Sequence, residues 1–266
     1  MPTSAFDSYA AGYDDHFTNS PIGVLQRKRV HQFLFPFLRP DMKVLEINSG
    51  TGYDAAAIAP KVKLVHASDI SPSMILEARN KNIPAGNIRF ITADTRELPS
   101  MLQSEYDLLF SNFGGLNCLS AEEIKTFATR MAPFISGDGK LALVVMGRKC
   151  IWENFLFRWQ KDKRVNRRKA VGGVNTNLGG TTFKTYYYSP SELEGLFSVH
   201  FRKVQLRPVG LFIPPSYLNP YFENKKGLLR LLNFFERMTG HLPFADYADH
   251  YFIVLEKKNP STGHKL

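Results

Sequence analysis

The run Val44-Leu45-Glu46-Ile47-Asn48-Ser49-Gly50-Thr51-Gly52 decides the architecture of the chain. Its first four residues have the length and apolarity of a buried strand; the rest is a turn ahead of a helical segment that starts near Tyr53 to Ala57. Glycine is needed where the backbone turns with positive φ and where a ligand must come close to the main chain. Written as Gly50-Thr51-Gly52-Tyr53-Asp54-Ala55, the turn fits the G-x-G-x-x-A pattern of dinucleotide loops. A plain strand-to-helix turn would read the same way, so the neighbouring sequence has to arbitrate.

Downstream, the rhythm repeats. Leu64 to Ser68 reads as a strand ending at Asp69, Ile88 to Ala93 as one ending at Asp94, and Leu108-Leu109-Phe110 as one ending at Ser111-Asn112. Leu141 to Met146, Val204 to Leu206 and Phe252 to Leu255 bring the set to about seven. The connections carry helix-start chemistry. Ser71-Pro72 supplies an N-cap and a proline at the first helical position, while Ser120 with Glu123 and Ser189 with Glu192 form capping boxes. Strand and helix in regular alternation give an α/β fold with a mostly parallel sheet and helices on both faces. Its ligand belongs at the carboxyl ends of the strands. Asp69 lies 17 residues beyond Gly52, where a carboxylate accepts from both ribose hydroxyls. Polar residues at four successive strand ends outline an adenosine-shaped slot.

Composition narrows the class. In 266 residues, 44% hydrophobic and 22% charged, there is room for one large domain with a sizeable core, and disorder is excluded. No apolar run reaches 20 residues and the first ten residues lack a secretory layout, so the expectation is a cytoplasmic protein without a transmembrane segment. Cys118 and Cys150 cannot make a disulfide framework or a four-ligand zinc site, and no metal is implied. Buried structural thiols are the expectation for both. Net charge is +10, and Arg158, Lys161, Lys163, Arg164, Arg167, Arg168 and Lys169, against Asp162, account for +6 of it. Such a stretch is either a solvated helix face or a surface for an anionic partner.

Three pieces flank or interrupt the core, which spans 42–149, 189–212 and a last strand in 250–258. Residues 1–41 form an N-terminal cover with Val30, Phe33, Leu34 and Phe37 at helical spacing. Residues 150–188 hold the basic stretch and a piece rich in glycine (Gly172, Gly173, Gly179, Gly180). Residues 213–249 hold an amphipathic segment with Leu228, Leu231, Leu232 and Phe235 on one face and Arg230, Asn233 and Arg237 opposite. Aromatic residues in the two insertions, among them Phe155, Trp159, Tyr187, Tyr217 and Phe234, suit a mostly buried cap around an apolar pocket.

The quoted run, with Asp69-Ile70-Ser71-Pro72-Ser73-Met74, Ala93-Asp94, Leu98-Pro99, Tyr106 to Asn112 and Gly137-Asp138-Gly139-Lys140-Leu141, resembles the class I S-adenosylmethionine-dependent methyltransferases, type 11 small-molecule group, which includes quinone- and biotin-pathway enzymes. Tyr9-Ala10-Ala11-Gly12-Tyr13-Asp14 is similar to that family's segment folding over the cofactor. The likeness covers roughly residues 5 to 145. It implies a Rossmann-like, seven-stranded, mostly parallel sheet with a cap built from insertions, forming a single domain. It implies S-adenosyl-L-methionine as cofactor and S-adenosyl-L-homocysteine as product. By the family's roles, Gly50 and Gly52 admit the cofactor to the backbone and Glu46 orders the loop near the methionine amine. Asp69 binds the ribose, Ile70 or Met74 covers the adenine, and Asp94, with Thr95 beside it, accepts from the adenine amine. Asn112 and Tyr13 lie near the methionine end. Asn48 departs from the family's glycine; it tolerates a left-handed turn, and its side chain is expected to intrude on the methionine end.

Displacement at a sulfonium methyl needs alignment and desolvation, and a general base only if the acceptor must lose a proton. His16, His200, His241 and His250 are the candidates by location, each with an equally available structural role; no catalytic residue is assigned. Asn112-Phe113-Gly114-Gly115 lacks the Pro-Pro-aromatic motif of base-amine methylation, and neither cysteine follows a proline, which argues against nucleic acid as acceptor. The reading is methyl transfer to a small hydrophobic or aromatic metabolite with an anionic group. Two others stay open: a non-catalytic protein docking RNA or anionic membrane through its basic insertion, and an NAD(P)-dependent oxidoreductase. The acceptor, the atom methylated and the oligomeric state are not legible.

Overall fold

The computed structural model describes residues 6–81, 83–178 and 180–258; Met1 to Ala5 of the cover and Gly179 of the glycine-rich piece lie outside them. In chain order the strands are β1 (Lys43–Ile47), β2 (Leu64–Asp69), β3 (Ile88–Thr92), β4 (Tyr106–Ser111), β5 (Ile135–Met146), β6 (Val174–Leu178), β7 (Thr181–Thr185), β8 (Phe201–Val209) and β9 (His250–Lys257). The α-helices are α1 (Pro21–Leu34), α2 (Tyr53–Ile58), α3 (Pro72–Asn80), α4 (Ala121–Met131), α5 (Ile151–Trp159), α6 (Pro190–Phe197), α7 (Asn219–Phe222) and α8 (Lys226–Met238).

Seven strands form one sheet in the order β3-β2-β1-β4-β5-β9-β8, in which only β9 runs antiparallel to its neighbours. The chain moves outward from β1 to β2 and β3, then returns to place β4 on the other side of β1, so the loops after β1 and β4 diverge. That divergence opens the crevice in which such sheets hold ligands.

Side-chain alternation sorts the central strands onto two cores. Leu45, Ile47, Leu109, Leu141, Leu143 and Val145 pack under α4 and α6, against Ile124, Phe127, Leu193 and Phe197. Val44, Val65, Leu108, Phe110, Ala142 and Val144 pack under α1 and α2, against Val30, Leu34, Ala55 and Ile58. Ser71 caps α3 by accepting from the Met74 N–H, and both capping boxes close, Ser120 with Glu123 and Ser189 with Glu192.

Two sequence expectations change here. Gly137-Asp138-Gly139 is an irregularity inside β5: Tyr106 pairs with Ile135 and Leu108 with Lys140, so the residues between bulge out of register. The glycine-rich piece is a two-stranded sheet of its own, β6 with β7, bounded by left-handed Gly172, Gly173 and Gly180. Among the described residues, no helix is long and apolar enough to cross a membrane.

Candidate active site

At the carboxyl end of β1 the backbone turns left-handed three times, at Asn48 (φ 56°), Gly50 (φ 53°) and Gly52 (φ 74°). The two glycines do different work. A Cβ on Gly50 would meet nothing nearer than the Tyr13 ring at 3.9 Å, so this stretch of main chain faces open cavity. A Cβ on Gly52 would lie 2.8 Å from the Phe90 ring and 3.0 Å from Ala78, so Gly52 is there to let the loop pack on α3 and β3. Asn48 adopts the left-handed turn, and its side chain, on the cavity wall, is held by Thr95 and Ser111. Thr95 Oγ1 donates to Asn48 Oδ1 at 3.1 Å, and Asn48 Nδ2 reaches Ser111 Oγ at 3.4 Å. The amide occupies space that Gly115 leaves free, for a Cβ there would be 2.4 Å from it.

The loop opens into a cavity of about 510 Å³, within the range of small-molecule sites. Tyr13, Asn48, Gly50, Asp69, Ile70, Met74, Asp94, Thr95 and Asn112 line it; Glu46 and Gly52 do not. Asp69, nearly buried, accepts from the Gly50 N–H at 2.8 Å and the Ser71 N–H at 2.9 Å. Burial pushes its carboxyl up, against the pull of those backbone donors. Asp94 is gripped side-on by the Arg96 guanidinium, which also reaches Glu123, so an adenine amine would share this carboxylate with Arg96. Burial alone would raise Asp94, and Arg96 holds it below its ordinary value.

Glu46 alternates onto the same face as Val44 and lies beneath the loop. It is buried, its Oε2 has no partner, and burial with the neighbouring Asp54 charge pushes its carboxyl well up, Arg27 opposing. An unpartnered buried carboxylate oxygen is costly, and a cation close by would relieve it. The open face at Gly50 fits a ligand lying against the main chain.

Sequence reading missed the polar centre beside it. Asp54 is buried and accepts from Arg27, from His31 Nε2 at 2.6 Å and from Asn112 Nδ2 at 2.9 Å. Burial would raise its carboxyl, yet Arg27, His31 and Asn112 hold it well below the usual range. Arg27 also lies over the rings of Phe17, Tyr53 and Phe113. Burial next to these charges raises the Tyr13 phenol to about 12, so it is a donor at neutral pH. The only signal in the sequence was Asp54 inside the loop pattern; nothing in the spacing linked it to Arg27 or His31, which arrive on α1.

The N-terminal segment is tied down by carboxylates. Asp7 accepts from Ser71 Oγ and the Ser73 N–H at the start of α3, and Asp14 accepts from Thr51 Oγ1 and pairs with Lys81. Phe6 meets Phe183 of β7, with ring centroids 5.4 Å apart, so the cover and the hairpin touch over the cavity.

The rest of the cavity wall, the chamber, includes Phe113, Cys118, Met146, Arg167, Thr176, Phe183, Thr185, Tyr187, Ser216 and Tyr217. Phe113 sits at φ 37°, uncommon for a bulky residue, between the rings of Phe17 and His250. Two arginines of the basic stretch are absorbed here, while Arg158, Lys161, Lys163, Arg164 and Lys169 stay exposed. Arg168 is buried, donating to Glu153, Asp249 and the carbonyls of Gly147 and Asp249. Arg167 grips Glu153 from the cavity wall, and Arg164 pairs with Asp162. Of the cysteines, Cys150 is buried and Cys118 half-buried on the wall; His16, His200, His241 and His250 are all off the wall. Among the described residues no cluster of three or more His, Cys, Asp or Glu is placed to hold a metal ion.

A family described as a methyltransferase domain matches residues 44–139. The malonyl-[acyl-carrier protein] O-methyltransferase of Anoxybacillus flavithermus (strain DSM 21510 / WK1) is 34% identical over 110 residues, 40% of this chain and 39% of that protein. The non-reducing polyketide synthase mapC of Penicillium roqueforti (strain FM164) is 25% identical over 159 residues, 54% of this chain and 6% of the synthase. The chain thus spans well under half the length of these curated relatives. Among solved structures, the complex of DhpI with S-adenosylhomocysteine superposes with a TM-score of 0.62 at 18% identity, over 96% of this chain and 94% of that one. The N-methyltransferase NodS from Bradyrhizobium japonicum WM9, also with S-adenosyl-L-homocysteine, gives 0.53 at 14%, over 91% and 89%. At such identities the structures speak for the fold. The glycine loop and the carboxylates Asp69 and Asp94 fall within the stretch 44–139 that the methyltransferase-domain family matches, on a fold shared with structures that hold S-adenosylhomocysteine.

Proposed function

We propose that the chain methylates a small apolar or aromatic acceptor that carries a carboxylate or a comparable anion. One observation carries this: an arginine, Arg167, lines the same cavity as the donor-side residues, together with the rings of Phe113, Phe183, Tyr187 and Tyr217 and the hydroxyls of Thr176, Thr185 and Ser216. Arg167 spends Nε and Nη2 on Glu153 and lies 5.7 Å from the Tyr217 ring centroid, which leaves Nη1 for an acceptor anion. The name of the Anoxybacillus relative, an enzyme of malonyl-carrier O-methylation, is compatible with an anionic acceptor.

The donor supplies a methyl group on a positively charged sulfur. Asp69 would hold the ribose, Asp94 and Thr95 the adenine edge, Ile70 and Met74 the adenine face, and Tyr13 and Asn112 the methionine end, with Glu46 buried off the cavity wall. The chamber itself offers no ready base. Burial raises the Tyr187 and Tyr217 phenols and lifts the Cys118 thiol to about 11, so all three are protonated at neutral pH. Asp54, Asp69 and Asp94 are engaged by the donors described above. This set favours an acceptor whose nucleophile is already ionised or holds a free lone pair. Phe6 and Phe183 exclude water, and alignment provides the rest.

Calorimetric titration with S-adenosylhomocysteine tests the donor half: micromolar binding lost in Asp69→Ala supports it, and no binding to folded protein overturns it. Labelled methyl transfer to paired aromatic acids and their esters tests the acceptor half. Arg167→Gln should raise KM for the acids by tenfold or more and leave homocysteine-product affinity in place. A small, wholly polar acceptor would refute the proposal.

A further inference from the structure

Helix α8 is mounted with its apolar face outward. Leu228, Leu231, Phe234, Phe235 and Met238 fall on one stripe at helical spacing, and all five are exposed; Leu231, Phe234 and Met238 are 52%, 56% and 57% accessible. Exposed Leu242 and Phe244 continue the apolar surface past the helix end. The opposite face is the anchored one. Leu229 packs with Ile22, Ile213 and Phe222, and the buried Glu236 carboxylate accepts from the backbone N–H groups of Gly210, Phe212 and Ile213. Arg29 donates to the Glu236 carbonyl. With three backbone donors on one carboxylate, the helix cannot roll to bury its stripe.

From this geometry we infer that α8 is an interfacial helix that seats on an anionic lipid surface. Charge selects the occupant. The exposed ionic groups on α8 are Lys226, Arg230 and Arg237, while its single acid, Glu236, is the buried anchor. Apolar side chains on one face with cations beside them are the pattern of helices lying in a lipid headgroup layer. A second copy of this chain fits poorly, since a two-fold contact on the stripe would gather Arg230 and Arg237 of both copies beside it, in a chain already at +10.

The test is sedimentation of the full chain with vesicles of phosphatidylcholine alone and with a third of the lipid as phosphatidylglycerol. Binding is expected to the anionic vesicles and to weaken as salt rises. Leu231→Glu and Phe234→Glu should each weaken it by about tenfold or more, as the loss of a buried side chain predicts. Arg230→Glu with Arg237→Glu should weaken it by about an order of magnitude. Homocysteine-product titration of the same variants should be unchanged, which separates a failure here from a failure of the donor site. Absence of binding to anionic vesicles, or binding indifferent to Leu231→Glu, overturns the inference. So does a solution dimer that Leu231→Glu dissociates, because the stripe would then be covered by a second copy.

Discussion

The donor half of the molecule and the cap obey opposite rules. Around β1, apolar residues are buried by period-2 alternation and polar residues gather at strand ends, each with named partners. In the cap the apolar stripe of α8 is exposed, and a carboxylate and an arginine, Glu236 and Arg168, are the buried anchors. A parallel sheet must cover both faces with apolar side chains to form at all. Insertions need only be tied to a core that already exists, and a few well-paired polar groups do that while leaving apolar surface for other uses.

The widest test of this contrast pits Asp54→Ala against Arg168→Ala. Each strands buried partners without their counter-charge, so each should cost about 3–5 kcal/mol in urea unfolding. Loss confined to one site would show that only one half is held by buried charge. Next, Leu229→Ala should cost about 2–5 kcal/mol, the range for emptying a core position. Two residues further on, Leu231→Ser should stay within about 0.5 kcal/mol. Equal costs at the two positions would mean that the stripe is buried after all.

Acid sensitivity follows from the same charges. In both Asp54 and Asp249 burial is overridden, by Arg27 in the first case and by His250 and Arg168 in the second, and the carboxyls are held well below their ordinary value. A depressed folded-state value contributes stability that is complete above the unfolded carboxyl range, at about pH 4, and is lost as the pH falls from there toward the folded value. Urea midpoints followed downward from neutral pH should decline below about pH 4, and Asp54→Asn should flatten the decline.

A local packing effect concerns Asn48. Gly115→Ala would place a Cβ against the Asn48 amide and should cost about 1–3 kcal/mol, an overpacking penalty. Asn48→Gly should restore most of it in the double variant. Additive costs would show that the two loops do not share this space.

How much of this was legible follows the same division. Seven strands, the capping serines and the residues from Asn48 to Asn112 could be read because each announces itself within a few positions: an apolar run, a glycine turn, a polar residue at its end. Arg27 and His31 on Asp54 could not be, since no local pattern ties residues so far apart in the chain. The β6–β7 hairpin hid behind glycines that looked like loop. Glu46 was placed correctly on its strand, but only the alternation of β1 beneath α1 and α2 puts it under the loop instead of on the cavity wall.

The sequence alone therefore determined the sheet and its ligand edge, because strand burial and loop chemistry are written in short-range patterns. Tertiary structure decided which side of α8 faces outward, which arginine of the basic stretch reaches the chamber and which is buried, and how Asn48 finds room. An amphipathic pattern states that two faces differ; the groups that arrive opposite them, here the Gly210, Phe212 and Ile213 N–H donors to Glu236, decide which face is held against the core.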